Sequence, residues 1–223
     1  MLVLNAGHKP VKIKHQLELL FRNLLPIFKK IKLDDFKLIR EKETSSISYS
    51  KNRVFGEFHF SHLITSIISF KIGEPVTTNT DLIKDIQTKE LDINEYKEFF
   101  TYDFFIEFIK FLLMLDKYLQ RNYEIDGIRW VGRETALDGL FAALGKYSQE
   151  QKISPLKTLQ TFENLIKQNN KLFNLGEYEK ERNNLELSKI NIGNVNKRSV
   201  FNAMYDVLSQ RVKVINWKNY FNK

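Results

Sequence analysis

No cysteine occurs in the chain of 223 residues. That excludes disulfides, Cys-ligated zinc and thiol catalysis, and it fits a reducing cytosol, so a cytoplasmic location is the expectation. No run is long and apolar enough to suggest a membrane span. The longest, Phe104 to Leu115, is interrupted by Glu107 and Lys110 and falls short of the roughly 20 residues that a span requires. The first residues lack a basic stretch followed by a long apolar one, so no signal peptide is expected. A lysine-bearing glycine-rich phosphate loop, GxSxG, GxGxxG and HExxH are all missing. Neither an internal repeat nor a low-complexity linker is present. These absences leave one domain over residues 1–223, with a subdomain boundary expected, if anywhere, near 124–132. They also leave no membrane partner, no cofactor and no residue to which a catalytic role can be assigned.

What is present is charge, unevenly placed. The net charge is +8. Residues 1–56 carry 12 Lys and Arg against 5 Asp and Glu, residues 57–127 carry 7 against 13, and residues 128–223 carry 16 against 9. Two basic segments flank an acidic one. Such a layout suits either a nucleic-acid partner or complementarity between segments inside the fold.

The apolar spacing is mostly helical. Leu17, Leu20, Phe21, Leu24 and Phe28 form one stripe of a helix over about 11–31, which Pro26 should kink or split. Residues 36–56 lose that period, and a small β element is expected there, with Phe36/Leu38 and Ile47/Tyr49 as two short strands around a turn at 41–46. A helix from about Ser61 ends at Gly73-Glu74-Pro75. The strongest signal is a long helix over about 94–121. Its polar residues Asp103, Glu107, Lys110, Lys117 and Arg121 form a narrow stripe, and nearly all else is apolar, as in a central core helix. Residues 133–147 read as a helix rich in small residues, including Ala136, Gly139, Ala142 and Ala143, which let another backbone approach closely. Ser154-Pro155 opens a helix to about 167, Leu175-Gly176 is read as a break, and a charged helix covers 177–187. Gly193-Asn194 is read as a turn before a helix capped by Asn196. The expected fold is mainly α: a multi-helix bundle around the helix at 94–121.

Three constellations invite chemistry. In Asn191 to Ser199, a glycine turn feeds a helix start that bears Lys197 and Arg198. Free N–H groups, the positive helix end and two cations suit a phosphate, so Asn194, Asn196, Lys197, Arg198 and Ser199 are the candidate nucleic-acid or phosphate contacts. With the helix at 177–187, the pair loosely resembles a helix-turn-helix. The alternative is an ordinary capped helix with surface cations. His59 and His62 lie three apart, but zinc would need His8 and His15 as well, and no metal site is assigned. Glu134 and Asp138 lie four apart and could serve Mg²⁺ or acid–base chemistry; a structural ion-pair cluster with Arg129 and Arg133 is the favoured reading.

Two resemblances bear on function. Arg53 and His59 in Arg-Val-Phe-Gly-Glu-Phe-His resemble the Arg…His spacing of HEPN-type ribonucleases, in which both residues act at the scissile phosphate of RNA. The opening run Leu4-Asn5-Ala6-Gly7, then Pro10-Val11 and a helix, resembles a segment of ParB-like, GmrSD-type restriction and defence proteins. In that family the segment follows a nucleotide-hydrolysing domain with an Asp-Gly-Gln-Gln-Arg motif. Asp126-Gly127-Ile128-Arg129-Trp130 lacks both glutamines, so the resemblance implies no catalytic residue here and only Asn5 as a site-lining position. It implies a non-catalytic helical region that contacts nucleic acid, DNA before RNA, or a ParB-like partner domain. A HEPN-like ribonuclease is one alternative. A scaffold or assembly module without nucleic-acid binding, marked by an exposed apolar patch near residues 1–25, is another.

Overall fold

A computed structural model describes residues 12–76, 79–88, 101–188 and 192–221. Among these, the elements run α1 (Ile13–Leu20), a 3₁₀ turn (Arg22–Leu24), α2 (Leu25–Lys30), β1 (Lys37–Ile39), α3 (Ser46–Asn52), β2 (Glu57–His59), α4 (Phe60–Ile72) and α5 (Asn79–Thr88). They continue with α6 (Tyr102–Gly132), α7 (Glu134–Gln151), α8 (Pro155–Gln168), α9 (Leu175–Ser188), α10 (Ile192–Leu208) and α11 (Lys218–Phe221). The fold is mainly α with one small β element, as the apolar periodicity predicts.

Pro26 sits in the first turn of α2, where its missing N–H costs nothing, and the expected long first helix is split there. Leu17, Phe21, Leu24 and Phe28 are buried as its stripe requires. In α6 the polar residues Asp103, Glu107, Lys110, Lys117 and Arg121 are exposed, while Phe104, Phe105, Phe108, Ile109, Leu112, Leu115 and Leu119 are buried. The start expected near 94 lies outside the described residues. The helix runs on to Gly132 through a break at Glu124, whose backbone is left-handed (φ 51°). That break coincides with the edge of the expected 124–132 boundary, yet the apolar core is contiguous across it.

The tightest packing falls on α7, which is held between α4 and α10. A methyl group on Gly145 would stand 1.8 Å from the Phe70 carbonyl oxygen of α4, and one on Gly139 would stand 2.6 Å from the Lys197 carbonyl oxygen of α10. Only glycine permits both approaches. Helix α4 is buried on nearly all sides: Leu63, Ile64, Ile67 and Ile68 are at most 1% exposed. Its interspersed hydroxyls cost little because they bond locally, Ser66 Oγ to the His62 carbonyl at 2.7 Å and Thr65 Oγ1 to the same carbonyl at 3.2 Å. The C-terminal segment docks through Trp217, fully buried, whose indole N–H donates to the Phe173 carbonyl at 2.5 Å.

The β element differs from expectation. β1 pairs in parallel with β2, in the register Lys37↔Glu57, Leu38↔Phe58 and Ile39↔His59. The segment with Ile47 and Tyr49, expected as the second strand, is instead helix α3, capped by Ser45, whose Oγ accepts the Ser48 N–H at 3.3 Å. A parallel pair cannot be closed by a tight turn, so a crossover helix separates the strands. Two further readings are corrected. Gly176 lies in the first turn of α9 rather than breaking it, and Gly193 and Asn194 lie in the first turn of α10 rather than in a loop.

Candidate functional site

The arginine and histidine that suggested a ribonuclease are built into the interior separately. Arg53 follows α3, and His59 ends β2. The Arg53 guanidinium forms a two-pronged pair with Asp116 of α6: Nη1 reaches Oδ1 at 2.9 Å and Nη2 reaches Oδ2 at 2.5 Å. Nη1 also donates to the Ile128 carbonyl at 3.1 Å and Nε to the Glu57 carbonyl at 2.9 Å. Side-chain exposure is 1% for Arg53 and 0% for Asp116. A scissile phosphate has no path to this group. His59 Nε2 donates to the Thr44 carbonyl (3.2 Å), so Nδ1 accepts from the Ser61 hydroxyl (2.8 Å). Burial also lowers its pKa, and the ring is a neutral structural imidazole. The HEPN arrangement, with both residues on one helix, is therefore not formed.

The residues expected as a phosphate cradle are also mostly committed inward. Lys197 pairs with Asp138 of α7 at 2.8 Å and donates to the Val76 carbonyl at 2.6 Å. Asn196 Oδ1 accepts from the Tyr178 hydroxyl (3.0 Å), and its Nδ2 donates to Thr135 Oγ1 (2.8 Å). Ser199 Oγ donates to backbone carbonyls of Val195 (2.9 Å) and Tyr220 (3.0 Å). The helical period explains this: positions 196, 197, 199, 200, 203, 204, 207 and 208 form the broad face of α10 that is buried. Arg198 remains exposed and Asn194 half-buried beside a separate cavity of about 330 Å³. The five do not converge, and α10 is too deeply packed to lie in a DNA groove. Asn5 and His8 lie outside the described residues, as does the apolar run at 2–4.

A larger concavity, of about 700 Å³, opens where seven helices meet. Its walls are α3 (Ser46, Ile47, Ser50, Lys51), the end of α6 (Arg129), Arg133, α9 (Glu179, Arg182, Asn183) and the start of α10, above a base formed by Lys14, His62, Glu134 and Thr135. The lining holds five Lys and Arg against two carboxylates. Lys51 and Arg129 are exposed, and among the described residues neither makes an ion pair. Arg133 is held in a fork by Glu179, with Nη2 donating to Oε2 at 2.9 Å, and its guanidinium lies 5.8 Å from the Tyr178 ring centre. Arg182 pairs with Glu186 and lies 3.8 Å from Glu179.

Beneath the cleft lies a run of opposite charges, half-buried where Lys14 meets Glu134 and buried where Asp138 meets Lys197. Burial alone would raise the Glu134 pKa, but Lys14, His62 and Lys197 outweigh it and hold the carboxyl down at about 2. Asp138 is more deeply placed, and burial pushes it up to about 6 against the pull of Lys197. Glu134 and Asp138 thus form a structural ion-pair cluster, as expected, but their partners are lysines of α1 and α10 rather than Arg129 and Arg133. His62 is 2% exposed, burial holds its pKa well below the ordinary value, and Nδ1 has no hydrogen-bond partner. The His59 and His62 rings are 5.1 Å apart, and among the described residues no three His, Asp or Glu side chains are placed to hold a metal ion.

Sequence reasoning missed the cleft because its cations come from separate parts of the chain. Arg129 and Arg133, four apart, were its one local signal. Asp116 had a clearer one, an acid inside the apolar run of α6. None of the helices in the described residues is long and apolar enough to cross a membrane. No protein-family model, no curated protein and no solved structure matches the chain.

Proposed function

We propose that the chain is a non-catalytic nucleic-acid-binding region and that the cleft between α3, α6, α9 and α10 is where the strand binds. The observation that supports this reading is the concentration of Lys14, Lys51, Arg129, Arg133 and Arg182 in one concavity, with Lys51 and Arg129 free of ion pairs among the described residues. A concave surface with an excess of one sign focuses its field, and the Arg129 guanidinium, free of ion pairs among the described residues, suits phosphate geometry. The similarity of residues 4–11 to restriction and defence proteins of the ParB-like type favours the same class of partner. The binding surface is thereby moved from Lys197 and Arg198 to the cleft.

The test is fluorescence anisotropy of a labelled oligonucleotide across a salt series. Binding weakens steeply with salt, and the double variant Lys51→Glu/Arg129→Glu lowers both the affinity and the salt slope, by about one unit of slope for each phosphate that is no longer neutralised. Both residues are exposed, so the fold is retained. Wild-type protein that shows no salt-dependent binding, or a double variant that binds as tightly as wild type, refutes the reading.

A further inference from the structure

The two most exposed large apolar side chains among the described residues, Leu187 (83%) and Ile47 (71%), both belong to walls of the cleft. Ile47 lines it directly, on the same face of α3 as Ser50 and Lys51, which lie three and four positions on. Leu187 lies in α9 one turn beyond Asn183, which lines the α9 wall. A single exposed apolar side chain is ordinary on a protein surface. These two stand at a concavity whose lining is otherwise polar or charged, apart from Ile192 and Gly193 at the start of α10.

Ile47 and the exposed Lys51 are neighbours on one helix, so α3 offers apolar surface and positive charge together. An anion without an apolar part would leave Ile47 and Leu187 in water. A neutral apolar ligand would leave Lys51 and Arg129 unmatched. An unpaired nucleotide satisfies both, because its base has two open faces and its phosphate carries the charge. Asn183, exposed on the α9 wall, adds an amide that donates and accepts, as base edges do. In a double helix the base faces are stacked on one another, and only edges, sugars and phosphates remain for contact.

We infer that the cleft selects unpaired over paired strands: bases pack on Ile47 and Leu187 while their phosphates meet Lys51 and Arg129. This rests on the cleft being the nucleic-acid site. The experiment measures the anisotropy of a labelled 12-nucleotide oligothymidine, alone and paired with its complement, on the full chain. The single strand binds wild type about tenfold tighter than the duplex. In Ile47→Asn/Leu187→Asn the single strand loses about tenfold in affinity, the duplex stays within about twofold, and the salt slope is unchanged, because the slope counts phosphates and not bases. The slope separates this variant from Lys51→Glu/Arg129→Glu, which lowers it. Both apolar residues are exposed, so the fold is retained. Val214→Asn, at a 47% exposed position outside the cleft lining, is the control and binds as wild type. If the duplex binds wild type as tightly as the single strand, or the double apolar variant binds the single strand as wild type does, the selection of unpaired bases is overturned and the cleft reading stands. If neither form binds, both fall, and binding of an acidic, leucine-bearing peptide instead assigns the cleft to a protein partner.

Discussion

Arg53 and Asp116 offer the sharpest test of whether the first of these residues is structural. In Asp116→Asn the shape is kept, but one acceptor oxygen becomes an NH₂ group. That group would face either Arg53 or the Gly56 N–H, which now donates to Asp116 Oδ2 at 2.9 Å. The guanidinium, 1% exposed, is left charged with half of its partner removed. Breaking a buried, hydrogen-bonded pair from one side costs about 3–5 kcal/mol. In a chain of this length each kcal/mol lowers the melting temperature by about 2–4 °C, so a fall of about 6–20 °C is expected. Urea unfolding followed by circular dichroism measures the loss. A second variant, Arg53→Met/Asp116→Leu, removes both charges and should recover at least half of it, since the cost lies in the orphaned ion rather than in the absent pair. A loss below about 1 kcal/mol in Asp116→Asn, or a double variant worse than the single one, would refute the assignment of Arg53 to the core.

The close approaches of α7 are tested by Gly145→Ala, whose added methyl meets the Phe70 carbonyl oxygen at 1.8 Å. A loss of about 3 kcal/mol or more is expected by urea unfolding. Gly176→Ala is the control: nothing lies within 4 Å of the added carbon, and the helix gains up to about 1 kcal/mol. The Glu134 carboxyl, held at about 2 against an ordinary 4.5, contributes stability that is complete above about pH 4.5 and is lost as the pH falls toward 2. Glu134→Gln should therefore be less stable near neutrality and show a flatter acid limb in urea midpoints between pH 2 and 5. Asp138, held up at about 6, acts in the opposite sense, so comparison with wild type isolates the Glu134 part.

The helices were legible because each is recorded locally. The stripe of α6 and the small residues of α7 depend only on spacing within one segment. The β element was half legible: Leu38 was placed in a strand, but its partner lay beyond a helix, and Ser45 as a cap outweighed the β-prone Ile47 and Tyr49 of α3. The site was the least legible part. Lys197 is a surface cation by sequence and a buried ion by structure, because α10 turns that side toward α7 and Asp138. The cations of the cleft share no local pattern. Lys14, Lys51, Arg129 and Arg182 become neighbours only once the four helices that carry them are packed.

The glycine contacts of α7 also determine where the molecule can move. Backbone meets backbone at Gly139 and Gly145, with no side chain between to absorb a shift, so α4, α7 and α10 form a single stiff block. The cleft walls are fastened differently: α3 is joined to α6 through Ser50 Oγ on the Gly132 carbonyl (3.1 Å) and through the adjoining Arg53, and α9 is linked to Arg133 by one carboxylate. The Ser50 and Glu179 contacts are half-buried, whereas the buried Arg53–Asp116 pair ties α3 to the core, as the buried Leu175 and Tyr178 side chains tie α9. The floor of the cleft is thus set by close backbone contacts that admit no added carbon, and its width by the side chains that fasten α3 and α9.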